Sequence, residues 1–104
     1  FTHISNAVSA NLKALFSTNQ EAFGRVFNIA CGYRISINKL YELIHSIISK
    51  DHPGIPSIEP TYVESRPGDV KHSLADIKLA KKLLDYSPEM GVEEGLISTV
   101  RSFY

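Results

Sequence analysis

The stretch Arg66-Pro67-Gly68-Asp69-Val70-Lys71-His72-Ser73-Leu74-Ala75-Asp76 places a cation, a forced turn, an acid and a helix start close together. Pro67 fixes its own φ and Gly68 accepts a positive φ, so the pair reads as the middle of a tight turn. That turn sets the Arg66 and Asp69 side chains at a fixed separation. A guanidinium can fork onto phosphate oxygens with charge-assisted hydrogen bonds, and a carboxylate held beside it offers acceptors to hydroxyl groups. A small site for an anionic ligand is built in this way. Each residue also has a plainer reading. Arg66 can be a solvated loop residue pairing with Glu64, and Asp69 a turn former that bonds its own backbone.

The rest of the composition narrows what such a site could serve. A chain of 104 residues with 43% hydrophobic content fits one domain, and folding at this size covers roughly 65% of the surface of the extended chain. Eleven basic residues balance eleven acidic ones. A net charge of zero gives no footprint for nucleic acid or anionic lipid, so any cation must act locally. Cys31 stands alone within an apolar run; it excludes a disulfide framework and reads as a small buried hydrophobe in a reduced compartment. Nothing approaches the ~20 apolar residues needed to span a bilayer, and no signal-peptide pattern opens the chain. A soluble cytoplasmic protein with no membrane partner is expected. His, Cys and acidic residues do not recur at ligand spacing, so no metal site is expected. The chain has no initiator methionine, and Phe1-Thr2-His3-Ile4 reads as the end of a strand already under way. It is expected to be a piece of a longer protein.

The elements that would position the motif follow from periodicity. Ser5 or Asn6 can cap a first helix running to about Asn19, with Val8, Leu12, Leu15 and Phe16 on its inner face. Val26 to Cys31 is apolar and β-favouring, and Gly32 closes it, which predicts a strand covered on both faces in a parallel sheet. Ser36 can cap a second helix whose stripe is Ile37, Leu40, Tyr41, Ile44, Ile47 and Ile48. Asp51 to Pro56 is a loop, because two prolines and a glycine oppose helix. Ile58 to Glu64 contains Pro60 and reads as an edge strand. Asp76 can cap a third helix carrying Ile77, Ala80, Leu83 and Leu84 that ends before Ser87-Pro88. A last helix turns Val92, Leu96, Val100 and Phe103 inward. Alternation of this kind is the rhythm of an α/β protein, but one buried strand cannot make a sheet alone. Tyr33 and Arg34 follow that strand and either border a ligand crevice or turn the chain into the second helix. His45 and His52 read as boundary residues, and Lys78, Lys81 and Lys82 as the wet face of a helix.

Taken in order, several segments resemble one family over essentially the whole chain. They are Phe1-Thr2-His3-Ile4 with Ala7, Val8, Ala10 and Asn11; Val26-Phe27-Asn28-Ile29 with Gly32; Arg66-Pro67-Gly68-Asp69; and Ser73-Leu74-Ala75-Asp76 with Ala80, Leu84, Tyr86 and Pro88. They resemble the C-terminal third of the nucleotide-sugar epimerases, NAD-dependent epimerase/dehydratase proteins of the extended short-chain dehydrogenase/reductase class. Within that class the chain looks most similar to UDP-N-acetylglucosamine 4-epimerases. Departures are Ser5-Asn6 where the family commonly has an acidic pair, and Ala30-Cys31 where a second glycine often stands.

The resemblance implies that residues 1–104 form an α/β substrate-binding portion, helices plus few strands, completed by an N-terminal Rossmann domain outside this chain. In the family, NAD on that domain oxidises the sugar at C4, the keto sugar rotates, and hydride returns to its other face. The glycine-rich dinucleotide fingerprint and the Tyr-x-x-x-Lys pair are absent from these residues. No catalytic or cofactor-binding residue is therefore expected here, and the portion alone would be inactive. Arg66 matches the arginine that contacts the UDP diphosphate, and Asp69 the acid that binds the ribose hydroxyls. Ser73 matches the position that lines the pocket around the sugar C2 substituent, where a small residue leaves room for an N-acetyl group; His72 lies beside it. The resemblance further implies a homodimeric complete enzyme, a UDP-sugar substrate and a place in polysaccharide biosynthesis. Related dehydratases, decarboxylases and dehydrogenases use the same anchors. A non-catalytic α/β interaction module is the alternative of another class.

Overall fold

Four α-helices and one 3₁₀ turn carry the regular structure of this computed structural model, which describes residues 1–70 and 72–103. They are α1 (Ile4–Leu15), the 3₁₀ turn Gln20–Ala22, α2 (Ile37–Asp51), α3 (Lys78–Leu84) and α4 (Val92–Arg101). The cap of α1 is His3 rather than Ser5 or Asn6: its Nδ1 accepts the Ser5 N–H at 3.3 Å. The helix stops at Leu15, and Asn19 instead caps the 3₁₀ turn by accepting the Glu21 N–H at 3.0 Å.

A larger difference lies in which face of α1 is covered. Val8, Leu12, Leu15 and Phe16 are 50, 50, 73 and 76% exposed, whereas Asn6 and Ala10 are buried. At 3.6 residues per turn these two sets lie on opposite sides of the helix. The small side chain of Ala10 suits a close packing against α3, and a bulky stripe does not.

In α2 the expected cap is present, with Ser36 Oγ accepting the Lys39 N–H at 3.1 Å. The Asp76 carboxylate accepts the Lys78 N–H at 2.8 Å and so serves the start of α3, although Ile77 is the cap residue by backbone geometry. Asp85 takes the left-handed conformation, φ 52°, and ends α3 before Ser87-Pro88 as the sequence predicts. Two side chains start α4. Tyr33 Oη accepts the Val92 N–H at 2.7 Å and Glu94 Oε2 accepts the Gly91 N–H at 3.3 Å. Phe103 lies beyond the end of α4 and is 82% exposed, not inward.

Among the described residues there is no β-strand. The expected strands Val26 to Cys31 and Ile58 to Glu64 are unpaired backbone, and Phe1 to His3 only lead into α1. A strand is defined by a neighbour that takes its N–H and C=O groups, and no described segment lies alongside to do so. Nor is the first run covered on both sides: Phe27, Ile29 and Ala30 lean on the core while Val26 is 89% exposed. The α/β class predicted from sequence is represented here by its helices alone.

The core gathers Ala10, Ala22, Ile77, Ala80, Leu83, Leu84 and Tyr86 from α1, the 3₁₀ turn, α3 with its cap residue, and the segment after it. Tyr86, 1% exposed, donates its hydroxyl to the Ala30 carbonyl at 2.9 Å and fixes the unpaired 25–31 run to this core. Helices α2 and α4 pack on each other as a second unit. Asn6 joins the start of α1 to the turn before α4: its Nδ2 donates to Met90 O at 2.7 Å, and its Oδ1 accepts the Glu89 and Met90 N–H groups at 3.0 Å. The molecule measures 54 × 34 × 17 Å with a radius of gyration of 17.2 Å, against ~13 Å for a compact domain of this length. It is a thin slab. No helix among the described residues is long and apolar enough to cross a membrane.

Candidate anion-binding site

Residues 66–69 form the turn that the sequence predicts. The Asp69 N–H donates to Arg66 O at 3.1 Å, and Gly68 sits at φ 90°, a conformation open to glycine and costly for other residues. A second bond closes the turn from the side chain: Asp69 Oδ2 accepts the Arg66 N–H at 3.1 Å. Asp69 is thus a turn former, and Oδ1 is left for an outside donor. The turn brings Arg66 and Asp69 together at its two ends, both exposed. Among the described residues the ion pairs are Lys39–Glu42, Lys78–Asp76 and Arg101–Asp51. The plain pairing of Arg66 with Glu64 is not one of them.

Beyond the turn, His72 and Ser73 are exposed and lead past Leu74 into α3. An open cleft of about 350 Å³ adjoins this lead-in, walled by Cys31 and Gly32 on one side and by 74–78 and Lys81 on the other. Cys31 is half-buried, its Sγ 3.6 Å from Asn6 Nδ2 and 3.8 Å from Met90 O. Tyr33 and Arg34, both exposed, border an open crevice between the start of α2 and the start of α4, and the Tyr33 hydroxyl also accepts the Val92 N–H.

No protein-family model matches the chain. Over 101 residues, 96% of its length, it is 34% identical to a UDP-glucuronate 4-epimerase of Thermodesulfobacterium geofontis, of which it covers 28%. It is 30% identical over 80 residues to a UDP-glucose 4-epimerase of Mycolicibacterium smegmatis, covering 77% of this chain and 24% of that protein. The fold matches the crystal structure of a Thermotoga maritima UDP-glucose 4-epimerase with UDP-glucose at a TM-score of 0.80. That match has 34% identity and covers 98% of this chain and 30% of the other. The chain is a segment of the nucleotide-sugar epimerase kind.

This epimerase segment spans between 24 and 30% of the length of the relatives it matches. The resemblance drawn from the order of its motifs holds at the level of the family. The relatives named here are epimerases of UDP-glucuronate and UDP-glucose. A dinucleotide would need a glycine-rich turn between a strand and a helix. The glycines at positive φ, Gly24, Gly32, Gly54 and Gly68, instead stand one by one in separate loops. The described residues do not fit an NAD site.

Sequence reasoning passed over the residues that hold this epimerase segment in shape. Asn6 reads locally as a cap and is in fact a 0% exposed clamp on residues 89 and 90. Tyr86 enters the sequence reading only through the family resemblance, yet its hydroxyl is used; burial first, and then the nearby Cys31 and Glu89, push its phenol up from the ordinary 10.0. Both partners lie far away in sequence, and no local spacing signals them.

Proposed function

We propose that this chain is the C-terminal, UDP-sugar-binding portion of an NAD-dependent UDP-sugar 4-epimerase. One observation carries the reading: nearly the whole chain superposes on an epimerase crystallised with UDP-glucose. The exposed Arg66–Asp69 turn supports it with suitable chemistry. The Arg66 guanidinium would clamp the diphosphate with paired charge-assisted bonds, and Asp69 Oδ1 would accept from the ribose hydroxyls. Ser73, with His72 beside it, would line the region around the sugar C2 substituent, and its small side chain suits UDP-N-acetylglucosamine as well as UDP-glucose. NAD, bound by a domain outside these residues, would supply the redox step at C4. The complete enzyme is proposed to be a cytoplasmic homodimer serving polysaccharide synthesis.

Calorimetry of UDP binding to the complete polypeptide tests this reading. The parent protein should bind, and Arg66→Ala should weaken binding by about ten- to a hundredfold, the range expected when a charge-assisted phosphate clamp is lost. An affinity indifferent to Arg66 would sink the assignment. Product analysis from UDP-N-acetylglucosamine separates a 4-epimerase from a dehydratase, decarboxylase or dehydrogenase built on the same anchors.

A further inference from the structure

The anion-anchor turn is carried on a long exposed strap that has little packing to hold it. From His52 to Val70 the chain forms no regular structure, and every residue of that span except Pro60 is exposed. Ile58, Tyr62, Val63 and Val70 are 71, 74, 79 and 76% exposed, so side-chain packing does little to fix the strap. Among the described residues its backbone-to-backbone bonds and turn closures are local: the His52 N–H to Ile48 O at the end of α2, the Ile55 N–H to His52 O, and the two bonds inside the Arg66–Asp69 turn. From the body of the molecule, a side chain of α2 reaches the middle of the strap. The Tyr41 hydroxyl donates to the Ile58 carbonyl. One helical turn further along α2, the His45 ring packs against the Tyr41 ring with centroids 5.8 Å apart, and its buried Nε2 has no partner among the described residues. His45 therefore acts here as a packing buttress for the tyrosine.

We infer that Tyr41 is the positioning residue for the Arg66–Asp69 anchor, through its hydrogen bond to Ile58 O; this rests on the UDP-sugar reading above. Pinning Ile58 divides the span between α2 and α3 into two shorter ones, which lowers the entropy that ligand binding must remove. Four prolines, Pro53, Pro56, Pro60 and Pro67, stiffen the span, so a position fixed at Ile58 is felt further along than in a flexible chain. A ligand's apparent affinity falls by the fraction of time its site is correctly placed. The tether should thus act on binding and leave the chemical step alone.

The test is Tyr41→Phe in the complete epimerase, which removes the hydroxyl and keeps the ring against His45. The expected result is an increase of about three- to tenfold in KM for the UDP-sugar and in Kd for UDP, with kcat and the thermal transition unchanged. Cleavage after Tyr62 by chymotrypsin and after Glu64 by a glutamate-specific protease should quicken by a similar factor. An unchanged KM and Kd in a protein whose parent binds UDP would overturn the inference and leave the UDP-sugar reading standing. Failure of the parent to bind UDP would remove that reading and this inference with it. A joint fall in kcat, affinity and thermal transition would make Tyr41 a structural residue only and would equally overturn it.

Discussion

Asn6 ties the start of α1 to the turn before α4 through its side-chain amide. An asparagine at 0% exposure is tolerable because its polar atoms are used, on Met90 O and on the Glu89 and Met90 N–H groups. Asn6→Ala would strand those backbone groups in a dry environment, at a cost of about 2 to 4 kcal/mol. Urea unfolding should show it as an earlier midpoint at unchanged slope, and a shift below about 0.5 kcal/mol would mean that water replaces the amide. At the proposed ligand end the residue of interest is Ser73, exposed at the lead-in to α3. Under the proposed function, Ser73→Tyr should depress turnover of UDP-N-acetylglucosamine at least about tenfold and spare UDP-glucose, since one bulky ring can fill the room for an acetyl group. Equal effects on both sugars would end the role given to Ser73. The 66–69 turn was legible because Pro-Gly chemistry is local. The clamp was not, because its two halves are 84 positions apart in the chain.

At the scale of elements, α2 and α4 are braced at their last residues by Arg101 and Asp51, with Nε to Oδ2 at 2.7 Å and Nη2 to Oδ1 at 2.9 Å. The guanidinium hydrogen bonds are the main cause that holds the Asp51 carboxyl below its ordinary 3.8, and the same bonds raise Arg101 further. A carboxylate whose value is lower folded than unfolded binds fewer protons when folded. Its contribution is complete above 3.8 and fades as pH drops through the folded value. Arg101→Leu should therefore melt below the parent at neutral pH, and the gap should close as pH falls below 3.8. Because the pair is partly exposed, added salt should narrow the gap as well. A gap that ignores both pH and salt would trace the effect to lost packing instead. Helix positions were readable from period and caps, as Ser36 and the Ile77, Ala80, Leu83, Leu84 set show. The inner face of α1 was not, since an apolar stripe states only that something covers it.

For the whole molecule, that uncovered stripe is the dominant property. Ile4, Val8, Leu12, Leu15 and Phe16 are each at least half exposed along one side of a slab 17 Å thick. Contiguous apolar surface of this kind marks a contact face. The isolated 104-residue chain should self-associate at tens of micromolar, and the double change Leu12→Lys with Phe16→Glu should return it to monomer in sedimentation experiments. A parent chain that sediments as a monomer would refute this. The same slab explains why a strand-favouring sequence, Val26 to Cys31, stays unpaired: β-propensity describes fitness for a sheet, and pairing needs a second segment that the described residues do not provide.

The clamp at Asn6 also sets an order of events during synthesis. At a ribosomal rate of about 5 to 20 residues per second, roughly 4 to 17 s separate the appearance of Asn6 from that of its partner Met90. Helix α1 must therefore wait for residues 89 and 90 before its clamp can close.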